Sequence, residues 1–251
     1  MFYLDRNSLR DMPERNPTDP KIDDWPACFA ERAKTARYPA LKAFYAAGVV
    51  APETPLKDVP LVALDFETTG LDPRRGGIVS IGLVPMDLQR IHCGRARHWV
   101  VKPRARLSSE SVVVHGITHS EIEDAPDLIQ ILDQLLEQLR GRVGVVHHRG
   151  IERAFLRAAL KARIGEEIDF PVIDTMELEA RLHRSKPLSF WDRLRGRRPV
   201  SIRLAQSRAR YHLPHYRPHH ALTDALACAE LLQAQVAHRF SADTPVGELW
   251  C

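Results

Sequence analysis

Apolar positions fall into two rhythms along the chain, and the change between them divides it. From residue 61 onward, short apolar runs alternate with turn residues. Residues 61–66, 78–84 and the longer, more polar 91–101 predict three consecutive strands. Thr118 and Glu121 have the T-x-x-E spacing of a capping box. Ile122, Leu128, Ile131, Leu132, Leu135, Leu136 and Leu139 follow at helical intervals, which predicts a single helix running to Gly141. The same reading gives a short strand at 143–146, a helix at 151–164, a strand at 170–173 and a helix at 174–182. It closes on a helix at 220–238, with Leu222, Ala225, Leu226, Ala229, Leu232 and Val236 on one face. Strands first, then helix and strand in alternation, imply an α/β layer fold around a mixed sheet.

Ahead of this pattern the chain behaves differently. Residues 1–24 are polar and interrupted by prolines, whereas 25–50 are rich in alanine and predict one or two helices broken near Pro39. Pro52, Pro55 and Pro60 form a stiff connector. The expected organisation is an N-terminal, partly helical extension over 1–59, a main domain over 60–240 and a C-terminal tail over 241–251. Phe29, Tyr38, Leu41, Phe44 and Tyr45 of the extension are expected to pack against the main domain.

Composition narrows the class. The 251 residues are 44% hydrophobic and 27% charged, which excludes a collagen-like or wholly disordered chain. The longest stretch without Asp, Glu, Lys or Arg is the eleven residues 76–86, too short to span a bilayer as a helix, and 1–17 contain no secretory apolar run. A soluble cytoplasmic protein with no membrane partner is expected. Cys28, Cys93, Cys228 and Cys251 form no CxxC pair and are read as free thiols. The net charge of +4 conceals an asymmetry, because 181–218 hold eleven Lys or Arg against Asp192 alone, a local net of +10. That segment calls for an anionic partner or is a solvated basic loop.

The candidate chemistry lies at two points. Asp65 and Glu67 stand two apart at the end of an apolar strand, so the period of two aims both carboxylates to one side. Like charges held close need a cation, and an all-oxygen set favours a hard ion such as Mg²⁺ or Mn²⁺. Thr68, Thr69 and Gly70 follow, and small hydroxyl residues with a glycine let a phosphate or sugar approach the backbone. Near the other end, His219 and Asp224 flank the start of the last helix, where the dipole keeps a carboxylate ionised and a histidine suits a general base. A capping acid beside a surface histidine would read the same way. His212, His215, His219 and His220 lack the cysteine spacing that would support zinc.

The strings LVALDFETTGLDP (61–73), VVVHGIT (112–118), VVHHRGIERAFL (145–156) and HHALTDA (219–225) resemble, in order, the motifs of the DEDDh (DnaQ-like) 3′-to-5′ exonucleases, the family that includes the proofreading epsilon subunit of bacterial DNA polymerase III. The resemblance covers residues 61–236. It implies a ribonuclease H-like fold and removal of nucleoside 5′-monophosphates by a mechanism using two Mg²⁺ or Mn²⁺ ions. By position, Asp65, Glu67 and Asp224 resemble metal ligands and His219 the base. Glu152 stands where the family has aspartate. Its extra methylene is a large shift against the near-ideal geometry and roughly 2.0–2.1 Å contacts of Mg²⁺, so preference for Mn²⁺, slow turnover and loss of turnover are all open. Thr68 and Thr69 are candidate donors to the terminal nucleotide, and His115 and Ile117 lie in the loop that the family places near the 3′ end. Arg197 and Arg198, with Phe190 and Trp191 nearby, are candidates for a phosphate tract. The expected activity is exonucleolytic trimming of single-stranded or frayed 3′ ends, DNA favoured. RNA trimming, nucleic-acid binding without cleavage, and oligomerisation or docking through the N-terminal helices are the alternatives.

Overall fold

The computed structural model describes residues 22–104, 117–183 and 199–251. Five strands, β1 (Leu61–Thr68), β2 (Ile78–Met86), β3 (Arg97–Val100), β4 (Val143–Val146) and β5 (Val172–Asp174), form a sheet in the order β3-β2-β1-β4-β5. The β1–β2 and β2–β3 pairs are antiparallel, while β1–β4 and β4–β5 are parallel. This is the mixed sheet flanked by helices expected of a ribonuclease H-like fold.

Described helices are α1 (Trp25–Thr35), α2 (Pro39–Ala46), α3 (His119–Glu123), α4 (Leu128–Leu139), α5 (Arg149–Ile164), α6 (Thr175–His183), α7 (Leu204–Arg210) and α8 (Ala221–Arg239). Alternation along β1 splits the core between the two faces of the sheet. Val62, Leu64 and Phe66 face a cluster with Leu132 and Leu136 of α4 and Phe155 and Leu160 of α5. Leu61 and Ala63 face Cys228, Ala229, Leu232 and Val236 of α8. Burial on both faces is why these strands read as continuous apolar runs.

The N-terminal helices are integral to the first core: Trp25, Phe29, Leu41, Phe44 and Tyr45 are buried in it, and the half-buried Tyr38 donates its hydroxyl to Asp133 Oδ1 at 2.8 Å. The other end of the chain meets the same region. Pro55 bridges to Pro245, and Trp250 and Cys251 lie along β5, where the Cys251 N–H reaches the Val172 carbonyl at 2.9 Å. None of the described helices is long and apolar enough to cross a membrane.

Three elements differ from the pattern. The helix expected from Thr118 to Gly141 is two helices, since Pro126 lacks the N–H needed to continue the ladder and Asp127 starts α4 afresh, accepting the Ile129 N–H at 3.0 Å. The third strand is cut to four residues because a 3₁₀ turn at Cys93–Arg95 interrupts it. The helix α7 was not expected.

One contact sets the position of α8. Gly82 of β2 pairs with Asp65 of β1, and a Cβ on Gly82 would lie 2.2 Å from the backbone carbonyl carbon of Ala221 and 2.3 Å from the Leu222 nitrogen. The first turn of α8 therefore rests directly on the strand backbone, where no side chain fits. Gly82→Ala must push α8 off the sheet. A loss of about 1–3 kcal/mol is expected for such overpacking, measured by urea denaturation, and a variant as stable as wild type would refute the contact.

Candidate active site

The site is assembled where the sheet meets that first turn. Asp65 and Glu67 pair with Gly82 and Ser80 of β2, so both side chains leave the sheet on the α8 side, and a register irregularity between Glu67 and Thr68 ends the regular pairing. Across from them, His219 adopts a left-handed backbone conformation with φ of 71°. This turn directs two successive amides at Asp224: the His219 N–H donates to Oδ2 at 2.7 Å and the His220 N–H to the same oxygen at 3.3 Å. The His220 ring caps α8, its Nδ1 accepting the Thr223 N–H at 3.4 Å. Together these contacts bring one oxygen each of Asp65, Glu67 and Asp224 within 4.8 Å of one another.

Such a cluster is unfavourable by itself. Withdrawal from water and the charges of Glu67, Asp224 and Glu152 push the Asp65 carboxyl well above the usual carboxylate range. Asp224 is also raised, chiefly by burial, although the two amides and the His219 ring oppose the shift. Three converging carboxylates offer an all-oxygen donor set suited to Mg²⁺ or Mn²⁺, and a cation would remove the repulsion that raises Asp65.

Glu152 is placed differently. It sits in the first turn of α5, 2% exposed, and stands outside the cluster of three, although its charge acts on Asp65. Among the described residues its Oε2 has no hydrogen-bond partner. Burial, and then the charge of Asp174, push its carboxyl well above the ordinary range. A buried acid with an orphaned oxygen, whose charge acts on Asp65, has the chemistry of a fourth ligand.

The turn ahead of α5 is fixed by polar contacts. Asp174 accepts the Arg149 N–H at 3.0 Å and the Met176 N–H at 3.0 Å, which ties together the starts of α5 and α6. His147 is buried and its pKa falls to about 4, so the ring is neutral near neutral pH: Nε2 lies 3.0 Å from the Ile202 carbonyl and Nδ1 2.8 Å from the hydroxyl of Thr175, which also reaches the Val146 carbonyl at 2.9 Å. His147 thus supports the site and does not act in it as a base.

The remaining candidates divide. Thr68 follows the cluster and donates its hydroxyl to the Gly70 carbonyl at 2.7 Å, while Thr69 Oγ1 accepts the Gly77 N–H at 2.9 Å. Both hydroxyls shape the β1–β2 turn. Ile117 is half-buried just ahead of α3. His115, Arg197, Arg198, Phe190 and Trp191 lie outside the described residues. Elsewhere in the basic segment, Arg181, Arg208 and Arg210 are bound to Glu177, Glu230 and Glu179. Sequence reasoning missed His98 of β3, whose ring stacks on His220 at 4.8 Å and whose Nε2 meets the Ser80 hydroxyl at 2.8 Å. It also missed Gly82, for which a glycine inside an apolar strand was the available signal.

The raised Asp65 carboxyl has a thermodynamic sign. Its folded value lies above the unfolded value of about 4, so its contribution to stability is complete below that pH and is lost as pH rises through the folded value. Asp65→Asn cannot charge. In EDTA its melting temperature should exceed that of wild type by a margin that widens from about pH 5 to pH 8, each kcal/mol being worth about 2–4 °C at this size. A margin independent of pH would contradict the electrostatic account.

Similarity to known proteins agrees with this geometry. The family model for RNase_T, described as Exonuclease, matches residues 62–232. The chain is 32% identical over 179 residues to a DNA polymerase III subunit epsilon-like protein of Rhodobacter capsulatus, covering 71% of this chain and 24% of that one. It is 33% identical over 132 residues to the PolC-type DNA polymerase III of Thermotoga maritima, covering 53% of this chain and 10% of the relative. The matched region is thus a minor part of these longer proteins. Among solved structures, exonuclease X in complex with 5′-overhanging duplex DNA superposes with a TM-score of 0.55 at 22% identity, over 74% of this chain and 97% of that one. With the family model matched over 62–232 and three carboxylates converging on this fold, the chain belongs to the DEDDh family of 3′-to-5′ exonucleases, which are phosphodiester hydrolases dependent on divalent metal ions.

Proposed function

We propose that this chain removes nucleoside 5′-monophosphates from the 3′ ends of single-stranded or frayed DNA, with the catalytic unit at 60–240 flanked by the segments 1–59 and 241–251. The observation that carries the reading is the convergence of Asp65, Glu67 and Asp224, from the two ends of the domain, within 4.8 Å. Asp65, Glu67, Asp224 and Glu152 are the residues that would hold two Mg²⁺ or Mn²⁺ ions. Such ions, when bound, lower the pKa of a water and neutralise the charge that develops on the leaving oxygen. His219 is exposed beside Asp224 and is assigned to accept the proton of the attacking water, its backbone held by the 2.7 Å bond to Asp224 while the ring stays accessible. Thr68 and Thr69, on the turn that follows β1, are assigned to the terminal nucleotide together with His115 and Ile117, and Arg197 and Arg198 to phosphates upstream. The preference for DNA follows the DNA polymerase relatives and the DNA-bound exonuclease X.

A second reading, binding without cleavage, is favoured by the position of Glu152 outside the cluster of three. The two separate in one assay. Mononucleotide release from 5′-labelled single-stranded DNA and RNA is followed with Mg²⁺ or Mn²⁺. Wild type should shorten DNA stepwise and faster than RNA. Asp65→Ala should abolish release, and His219→Ala should lower kcat by about 10²–10⁴-fold. If wild type is inert and Glu152→Asp cuts, the glutamate disables the metal site. If both bind the strand and neither cuts, the binding reading stands. Faster shortening of RNA would make the protein an exoribonuclease.

A further inference from the structure

The turn ahead of α8 is exposed at residues 217–220 and includes the left-handed His219, a backbone conformation that a side chain disfavours. The amides of His219 and His220 tie it inwards to Asp224. That carboxylate must also accommodate a cation, so a turn anchored there alone would shift with the occupancy of the site. A second anchor runs outwards through the His220 ring. Its Nδ1 accepts the Thr223 N–H, and its face stacks on His98 with ring centres 4.8 Å apart and planes 30° apart.

Strand register places His98. It pairs with Gly82, which pairs with Asp65, so His98 and Asp65 leave the sheet on the same side, two strand spacings or about 10 Å apart. Gly82 lies between them, and the Ala221 backbone rests directly on it. The first turn of α8 is thus seated over β2, with the carboxylates on one flank and the His98 ring on the other. His98 is itself fixed: Nε2 meets the Ser80 hydroxyl at 2.8 Å, and Ser80 is buried, paired with Glu67. A ring pinned at one edge to a buried hydroxyl and stacked through its face has little freedom to rotate. It can therefore hold His220, and with it the adjoining His219, in one place. Both rings are exposed, so removing the His98 ring opens no cavity in the core.

We infer that His98 is a positioning residue, which acts through His220 to hold the turn that presents His219 to the attacking water. The inference rests on the exonuclease reading and adds to it a residue that lies across α8 from the carboxylates. The proteins compared are wild type, His98→Ala, His98→Phe, His219→Ala and the double variant His98→Ala/His219→Ala, with single-stranded DNA and Mn²⁺. His98→Ala should lower kcat by about 10–10²-fold, the cost of displacing a catalytic group by up to about an ångström, with KM unchanged. His98→Phe keeps a ring for the stack and should recover most of the loss. On the His219→Ala background the loss of His98 should cost nothing further, because the group it positions is gone. A loss of equal size on both backgrounds, or a change in KM alone, would overturn the inference. Amide hydrogen exchange, followed by NMR in EDTA, reads the same contact without catalysis. The His219 and His220 amides should exchange about 2–10-fold faster in His98→Ala, the worth of one aromatic stack, while the amides of β1 are unchanged. Unaltered exchange at His219 and His220 would equally overturn it. If wild type releases no mononucleotide, the exonuclease reading fails, and the exchange comparison alone decides whether His98 holds the turn.

Discussion

The site depends on how closely a helix can approach a strand. At Gly82 the backbone of α8 lies where any other residue would place its Cβ, and Asp65 is the direct partner of that glycine across the sheet. The approach brings Asp224, in the first turn of α8, against carboxylates that lie far away in sequence. Because it is a contact of backbone on backbone, its distance does not depend on which side-chain rotamers are populated. The left-handed His219 then completes the alignment, since its turn presents two consecutive amides to one oxygen of Asp224.

The same closeness stores an unfavourable energy. Asp65 and Glu152 are withdrawn from water with like charge around them, and both resist ionisation. The rest of the fold compensates through apolar burial on both faces of the sheet, to which the N-terminal aromatics and the end of the chain add. Stability and chemistry are therefore drawn from different parts of the chain, with the cost concentrated at the point where a cation is useful.

Much of this was legible in the sequence, for identifiable reasons. The spacing of Asp65 from Glu67, and of His219 from Asp224, is local, and local periodicity determines which way a side chain points. The order of elements followed from apolar rhythm in the same way. What stayed hidden was non-local or depended on a polar residue behaving as core. The break at Pro126 was visible as a residue, but the strong leucine period on its far side masked it. The helix α7 has little apolar signal because it anchors through Arg208, which is 4% exposed and satisfied by the Ala227 and Pro214 carbonyls and Glu230. The register of Glu152 could be read, but its place outside the cluster could not, since that depends on how deeply α5 is set against the sheet.

Arg153 gives the two ends of the described chain a common fate. Its guanidinium lies 5.1 Å from the centre of the Trp25 ring and donates to the carbonyls of Phe170 and Cys251. If either end peels away, a buried cation loses part of its surroundings, which weakens the hold on the other end. Opening of α1 and of the segment carrying Trp250 should therefore be correlated as a single sub-global unfolding unit, even though more than two hundred residues separate them along the chain.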